Sequence, residues 1–243
     1  MNAVLEKKVY DISSIKFSNF NEIIEKENLK TNLNLDVDNN KNFKRLFDII
    51  FSMLVLILLS PLFLIFGALV KFCSPKGNIF FKHERIGKHG KPFKCYKFRT
   101  MHVNADKMLE TMLKNNCKLR EEFKKDFKLK NDPRIIPVIG KILRKTSLDE
   151  LPQFYNVLKG EMSVVGPRPI VNQECCMYGR KLSRFLSVKP GITGLWQVSG
   201  RNDICYKTRI ALDLCYIKNG NFLKDLQIIF KTISVIFSKK GAY

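Results

Sequence analysis

The chain has 243 residues, 45% of them hydrophobic, and its 43 Lys and Arg against 22 Asp and Glu leave a net charge of +21. That length and apolar fraction fit one folded domain, with or without an appendage, while 13 Gly and 9 Pro exclude a collagen-like or low-complexity chain. Seven cysteines without a C-x-x-C spacing, and three scattered histidines (His83, His89 and His102), argue against a disulfide framework or a zinc site and for reduced thiols.

The charge is unevenly spread. Residues 1–40 carry a net −2 and the remainder +23, which marks a boundary near residue 40 and asks for an anionic partner: nucleic acid, anionic lipid or a phosphorylated substrate. Residues 1–42 read as a polar N-terminal extension, either a partner-binding segment or a poorly ordered tail.

From Ile49 to Val70 run 22 residues with no charged side chain. As a straight helix they would cover about 33 Å, enough for a bilayer core. Ser60-Pro61 interrupts this run near its centre. Pro61 cannot donate to the Ile57 carbonyl, and breaking the helix there costs about 3 kcal/mol. Basic residues flank both ends, Lys41, Lys44 and Arg45 before and Lys71, Lys76, Lys82 and Arg85 after, and basic flanks stay on the cytoplasmic side. A helix–break–helix hairpin over residues 43–72, entering one leaflet and returning, satisfies both features, with the Ser60 hydroxyl serving a carbonyl freed at the break. A kinked single span is the alternative. Under the hairpin reading, residues 73–243 form a cytosolic domain on the same face as the extension.

In that domain, two aromatic-rich runs around Lys88-His89-Gly90 predict a β-hairpin. Alternation along its second strand places Lys97 and Arg99 on one face, where two cations can meet an anion or simply be solvated. Residues 104–130 read as an amphipathic helix broken near Asn115-Asn116, with Met108, Met112, Leu113, Leu119, Phe123 and Phe127 on the apolar side. Asn131-Asp132-Pro133 follows as a stop.

The stretch from Ile142 to Pro169 carries the most chemistry. Ser147-Leu148-Asp149-Glu150 has the spacing of a capping box, and Leu151, Phe154, Tyr155 and Leu158 follow at helical intervals up to Gly160. This predicts two adjacent carboxylates, Asp149 and Glu150, at a helix N-terminus whose dipole keeps them ionised, with Arg144 and Lys145 just upstream. A well-capped helix without further role has the same pattern. Gly166-Pro167-Arg168-Pro169 holds an arginine between two residues of fixed φ, a rigid mount for a phosphate-gripping fork or a plain structural turn. Lys189-Pro190-Gly191-Ile192-Thr193-Gly194 and Gly200-Arg201-Asn202 are turns on either side of the only tryptophan. The C-terminal run from Phe222 to Phe237, punctuated by Lys224, Lys231, Lys239 and Lys240, either lies on an anionic membrane or covers the core.

Taken together, Lys44-Arg45-Leu46-Phe47-Asp48, Ser60-Pro61, Lys97-Phe98-Arg99-Thr100-Met101, the run from Arg144 to Gln153, Val165 to Pro169, Lys189 to Gly194 and Gly200-Arg201-Asn202 resemble, in one order over some 200 residues, the bacterial sugar transferase family: the monotopic phosphoglycosyl transferases that begin lipid-linked glycan assembly. The resemblance implies an α+β, mostly helical, monotopic membrane protein with a re-entrant hairpin, a small β-hairpin and amphipathic interface helices. It implies transfer of hexose 1-phosphate from a UDP-sugar to undecaprenyl or another polyprenyl phosphate, with release of UMP, to start exopolysaccharide, capsule, O-antigen or glycoconjugate assembly. Asp149 would be the nucleophile, forming a phosphosugar–aspartyl intermediate, and Glu150 its partner in binding magnesium. Arg144, Arg168 and Arg201, with Lys97 and Arg99, would contact substrate. The resemblance places the catalytic domain on the cytoplasmic face of the bacterial inner membrane, with membrane lipid as a partner, no nucleic acid, and room for a homodimer. Two other schemes are carried forward: direct attack by the lipid phosphate, with Asp149 only a magnesium ligand, and a membrane-tethered nucleic-acid or scaffold protein that uses the basic charge as an adhesive surface.

Overall fold

A computed structural model describes residues 38–126, 129, 131–200 and 204–238. Most of the N-terminal extension, Phe127, Arg201, Asn202, Lys239 and Lys240 therefore lie outside the described residues.

The apolar segment forms α1 (Asp38–Leu58) and α2 (Ser60–Cys73), bent by 61° at the break. Pro61 has no N–H to offer the Ile57 carbonyl, and the Ser60 hydroxyl donates to it instead at 2.8 Å. The bend is thus made and satisfied by two consecutive residues. Ile57, Leu58, Leu64 and Phe72 are two-thirds or more exposed, so the tip and one flank of the pair present an apolar surface. Among the described residues no single helix is long and apolar enough to cross a membrane; this bent pair reaches that measure only jointly.

The expected β-hairpin is β1 (Phe80–Ile86) and β2 (Pro92–Phe98), joined by a 3₁₀ turn at Lys88–Gly90. The antiparallel register sets Phe81 opposite Lys97, His83 opposite Cys95 and Arg85 opposite Phe93. Those six side chains share one face, because directly paired residues point the same way. Next come α3 (Ala105–Asn115) and α4 (Cys117–Asp126), parted at Asn116 where the sequence placed the break; no residue of α3 is buried.

The segment around the two carboxylates departs from expectation. Ser147 is not an N-cap. It adopts a left-handed conformation (φ 58°) that ends α5 (Ile139–Thr146), and its side chain makes no capping bond. Leu148–Glu150 form a 3₁₀ turn, and α6 begins only at Gln153 and ends at Leu158. The reason is Pro152, which has no amide proton to continue a four-residue ladder to Leu148. Three-residue bonds replace it, from Glu150 N to Ser147 O (3.2 Å) and from Leu151 N to Leu148 O (3.3 Å). Leu148 and Leu151 then turn into a core of Val70, Phe98, Ile136, Ile139 and Leu143, tying the dyad's turn to α2 and β2.

Two short parallel strands, β3 (Ser163–Val165) and β4 (Gly191–Thr193), pair Ser163 with Gly191 and Val165 with Thr193. A Cβ on Gly191 would collide with the Gly166 backbone, so this crossing admits only glycine. Short helices α7 (Cys175–Tyr178), α8 (Leu182–Phe185) and α9 (Leu195–Ser199) surround it, followed by α10 (Tyr206–Asn219) and α11 (Phe222–Ser238). Helix α11 buries Asp225 and Ile228 in the body yet exposes Leu223, Phe230 and Ile233, so it covers the core and also presents an apolar edge outward.

The foot of α1 is held to this body by polar contacts. Arg45 donates to the Val157 and Leu158 carbonyls at 2.6 and 2.9 Å, and Asp48 accepts from Val164 N at 3.0 Å. Lys44 reaches Asp225 at 2.5 Å, whose other oxygen accepts from the Tyr216 hydroxyl at 2.6 Å.

Candidate active site

Four elements converge on a small recess, open to solvent and lined by Arg85, Cys95, Lys97, Glu150, Gln153, Arg168, Pro169, Gly191 and Ile192. Strand β1 brings Arg85, β2 brings Cys95 and Lys97 on the same face, the 3₁₀ turn brings Glu150, and the Pro167-Arg168-Pro169 mount brings Arg168. Asn156 fixes the assembly. Its side-chain carbonyl accepts from Tyr96 N (3.0 Å), and its amide donates to Lys94 O (2.8 Å) and Glu161 Oε2 (2.6 Å), so α6 is fastened to β2.

The two carboxylates have different surroundings. Glu150 Oε1 accepts from Lys97 Nζ at 2.5 Å and from an Arg168 guanidinium nitrogen at 3.4 Å. Burial would raise its pKa, but Lys97 and Arg168 outweigh that and hold it well below the usual carboxylate range, at about 2. Asp149 is buried and accepts no hydrogen bond among the described residues. Burial pushes its pKa up to about 6; Glu150 adds to the rise, and Lys97, Arg144 and Arg168 oppose it. The expectation that a helix dipole keeps both carboxylates ionised is therefore corrected. A three-residue turn ahead of a six-residue helix supplies little dipole, and the side-chain cations set the balance instead.

Arg144 stands behind Asp149: its Nε donates to Thr100 Oγ1 at 2.9 Å, and Asp149 is the carboxylate that most favours its charge. Neither Asp149 nor Arg144 lines the recess itself; Asp149 is buried next to Glu150, which does. Arg99 is not brought into the recess either; its Nε donates to the Asn78 carbonyl at 2.7 Å. Arg201 lies outside the described residues.

Sequence reasoning missed Arg85, which donates to Pro169 O at 3.2 Å and sits 3.7 Å from Glu174 while lining the recess beside Arg168. Its signal was the parity of His83 and Arg85 on a strand, which is informative only once the register with β2 is known. Asn156 was missed as well; its signal was a side-chain amide between apolar residues within a short helix, a position that needs a partner. Burial, then the Arg85 and Lys97 charges, lowers the pKa of His83 to about 4, so this imidazole is neutral at pH 7 and reports the cationic field of the β-hairpin face.

Two adjacent carboxylates, one of them unpartnered, form a suitable donor set for a hard divalent cation such as magnesium, which takes one or two carboxylates and completes its shell with water and substrate phosphate. Among the described residues no cluster of three or more His, Cys, Asp or Glu could hold a metal without such help.

Comparison with known proteins matches the sequence pattern. The bacterial sugar transferase family matches residues 39–239. The chain is 50% identical over 200 residues to the exopolysaccharide production protein ExoY of Sinorhizobium fredii, covering 82% of this chain and 88% of that protein. It is 49% identical over 215 residues to an undecaprenyl-phosphate galactose phosphotransferase of Salmonella typhimurium, covering 88% of this chain but 44% of the relative. With a UDP-glucose:undecaprenyl-phosphate glucose-1-phosphate transferase of Klebsiella pneumoniae it shares 44% identity over 214 residues, 84% of this chain and 42% of that one. The chain thus spans most of the shorter relative and less than half of the longer ones. With the dyad, its cations and the bent apolar pair in place, the chain belongs to the bacterial sugar transferase family and is an enzyme of sugar transfer.

Proposed function

We propose that the protein transfers hexose 1-phosphate from a UDP-sugar to a polyprenyl phosphate such as undecaprenyl phosphate, releasing UMP, as the first step in building an exopolysaccharide or related glycan. The names of the relatives support the substrates, and the recess supports the chemistry. Arg85, Lys97 and Arg168 outnumber the recess's carboxylates and suit a pyrophosphate, whose negative charge would otherwise repel an attacking carboxylate.

The observation that carries the reading is the division of labour in the dyad. Glu150 is pinned by Lys97 and Arg168, whereas Asp149 is held by neither a salt bridge nor a hydrogen bond and is the carboxylate free to attack. An Asp149 oxygen bonds to the β-phosphorus while the bond from that phosphorus to the UMP oxygen breaks, its electron pair leaving with UMP. An oxygen of the lipid phosphate then attacks the same phosphorus and displaces the carboxylate, giving a polyprenyl diphosphate sugar. Asp149 and the second oxygen of Glu150 would hold magnesium, which when bound supplies positive charge to the pyrophosphate oxygens.

In this reading α1 and α2 form a re-entrant hairpin in one leaflet, with the recess at headgroup depth on the cytoplasmic face of the bacterial inner membrane. The outward apolar flank and the satisfied bend at Ser60-Pro61 support that placement. The test is to incubate the full chain with magnesium and a labelled UDP-sugar without lipid. One equivalent of UMP and a phosphosugar adduct on Asp149 are expected; an active enzyme that releases UMP only when lipid phosphate is present would establish direct attack instead.

A further inference from the structure

Helix α6 carries two buried amides, Gln153 and Asn156, 2% and 0% exposed. Asn156 is a structural amide: its carbonyl accepts from Tyr96 N and its nitrogen donates to Lys94 O and Glu161 Oε2, so both ends are used. Gln153 has no such partners. Among the described residues no group hydrogen-bonds its side chain. Burying an amide without a partner disfavours the fold, so the packing of α6 alone does not explain why this residue is polar.

The position of the amide shows what can complete it. Unlike the amide of Gln197, whose nitrogen and oxygen are both sealed, that of Gln153 keeps a trace of accessible surface, and the opening it lines is the recess. Cys95, 1% exposed, lines it too, whereas the charged groups around them, Arg85, Lys97, Glu150 and Arg168, keep between 16% and 36% of their side chains exposed. The charges thus stand nearer solvent, and Gln153 and Cys95 form a neutral inner wall. A molecule that brings an anion to the three cations presents its neighbouring group to that wall.

That neighbouring group is a hydroxyl. A phosphate oxygen only accepts, so it would use the amide nitrogen and leave the amide oxygen facing negative charge. A hydroxyl both donates and accepts, and serves either end of the amide. In a UDP-hexose, the substrate proposed above and the reading on which this step rests, the hydroxyl nearest the pyrophosphate is the one on the carbon beside the anomeric centre. Uracil also pairs with amides, but ribose and the α-phosphate separate it from the β-phosphorus, and Gln153 shares its recess with Glu150, the partner of the attacking Asp149. We infer that Gln153 binds the hexose hydroxyl next to the anomeric carbon and is a specificity residue, favouring sugars that carry that hydroxyl over those that lack it.

The test measures UMP release by the full chain with magnesium and undecaprenyl phosphate. It uses the UDP-hexose that wild type turns over best, the analogue lacking the hydroxyl beside the anomeric carbon, and UDP as a competing ligand. The bonds that form and break are at phosphorus, so the analogue leaves the reacting atoms unchanged. Gln153→Met keeps the side-chain length and removes both hydrogen-bonding ends. Wild type should lose about tenfold in kcat/KM on going to the analogue, the loss of one neutral hydrogen bond, and Gln153→Met should lose as much with the natural sugar but nothing further with the analogue. The inhibition constant of UDP should be the same in both proteins. The thermal midpoint of Gln153→Met should be unchanged or higher, because no bond within the protein is removed. Losses that multiply, or an inhibition constant for UDP raised as much as KM, would overturn the inference, the latter by placing the amide on the nucleotide or the diphosphate. A lowered midpoint would overturn it too, by revealing a partner within the protein. Should Gln153→Met not fold, Gln153→Leu replaces it with the same criteria. Each of these failures leaves UMP release by wild type intact, whereas no release from any UDP-hexose would overturn the transfer reading and this inference with it.

Discussion

Lys97 Nζ lies 2.5 Å from Glu150 Oε1, an ion pair that joins the second strand of the β-hairpin to the turn carrying both carboxylates. The same lysine opposes the rise in the pKa of Asp149, so it acts on both members of the dyad. In Lys97→Met two effects follow. Substrate loses one of its three recess cations, so KM for the UDP-sugar should rise about tenfold or more. The pKa of Asp149 in the metal-free protein should move further up, because a cation that opposes its rise is gone, and the midpoint of its carboxyl signal in an NMR titration without magnesium should shift to higher pH. An unshifted midpoint would show that Lys97 does not act on Asp149.

Asp149→Asn should abolish turnover while preserving the fold. The carboxyl is buried without a hydrogen-bonding partner, so replacing it by a neutral amide removes a charge that burial disfavours. The thermal midpoint at pH 8 should therefore be unchanged or higher than that of wild type, whereas Glu150→Gln should lower it by leaving the Lys97 and Arg168 charges against a neutral amide in place of the anion they share. A loss of stability in Asp149→Asn equal to that in Glu150→Gln would contradict the division of roles.

These asymmetries explain what the sequence could and could not disclose. The bend at Ser60-Pro61, the strand pair around Lys88-His89-Gly90 and the break at Asn116 depend on residues adjacent in the chain, so local chemistry foretells them. The Ser147 cap failed because Pro152, five residues on, denies the helix its next backbone bond, and because Leu148 and Leu151 gain more by entering the core beside Val70 and Phe98. Arg85 reaches the site only through register with β2, and Lys44 meets Asp225 across most of the chain. No spacing rule records contacts of that kind.

The bent pair makes a topological prediction. With residues before α1 and after α2 on one face, single cysteines replacing Asn42 and Lys76, both exposed, in a chain whose seven native cysteines are replaced by serine or alanine, should react with an impermeant maleimide from the same side of sealed inverted vesicles. Pro61→Ala restores the missing donor and should favour a straighter helix, moving position 76 toward the opposite side in part of the population. Labelling of positions 42 and 76 from opposite sides in wild type would replace the hairpin with a kinked span.

Asp213 offers a prediction on stability. It is 1% exposed on α10, one of its oxygens has no partner, and burial raises its pKa from 3.8 to about 8. Below pH 4 the carboxyl is neutral in both folded and unfolded chains and makes no difference. Between pH 4 and 8 the unfolded chain loses this proton while the folded one keeps it, so stability falls as pH rises, by at most about 1.4 kcal/mol per pH unit from this group. Above pH 8 both forms are ionised and the loss is complete. Asp213→Asn cannot ionise, so its thermal midpoint should match that of wild type near pH 4 and exceed it by a margin that grows up to pH 8. Parallel curves for the two proteins across that range would show that Asp213 is ionised in the folded chain, with Arg168 the cation whose charge favours that form.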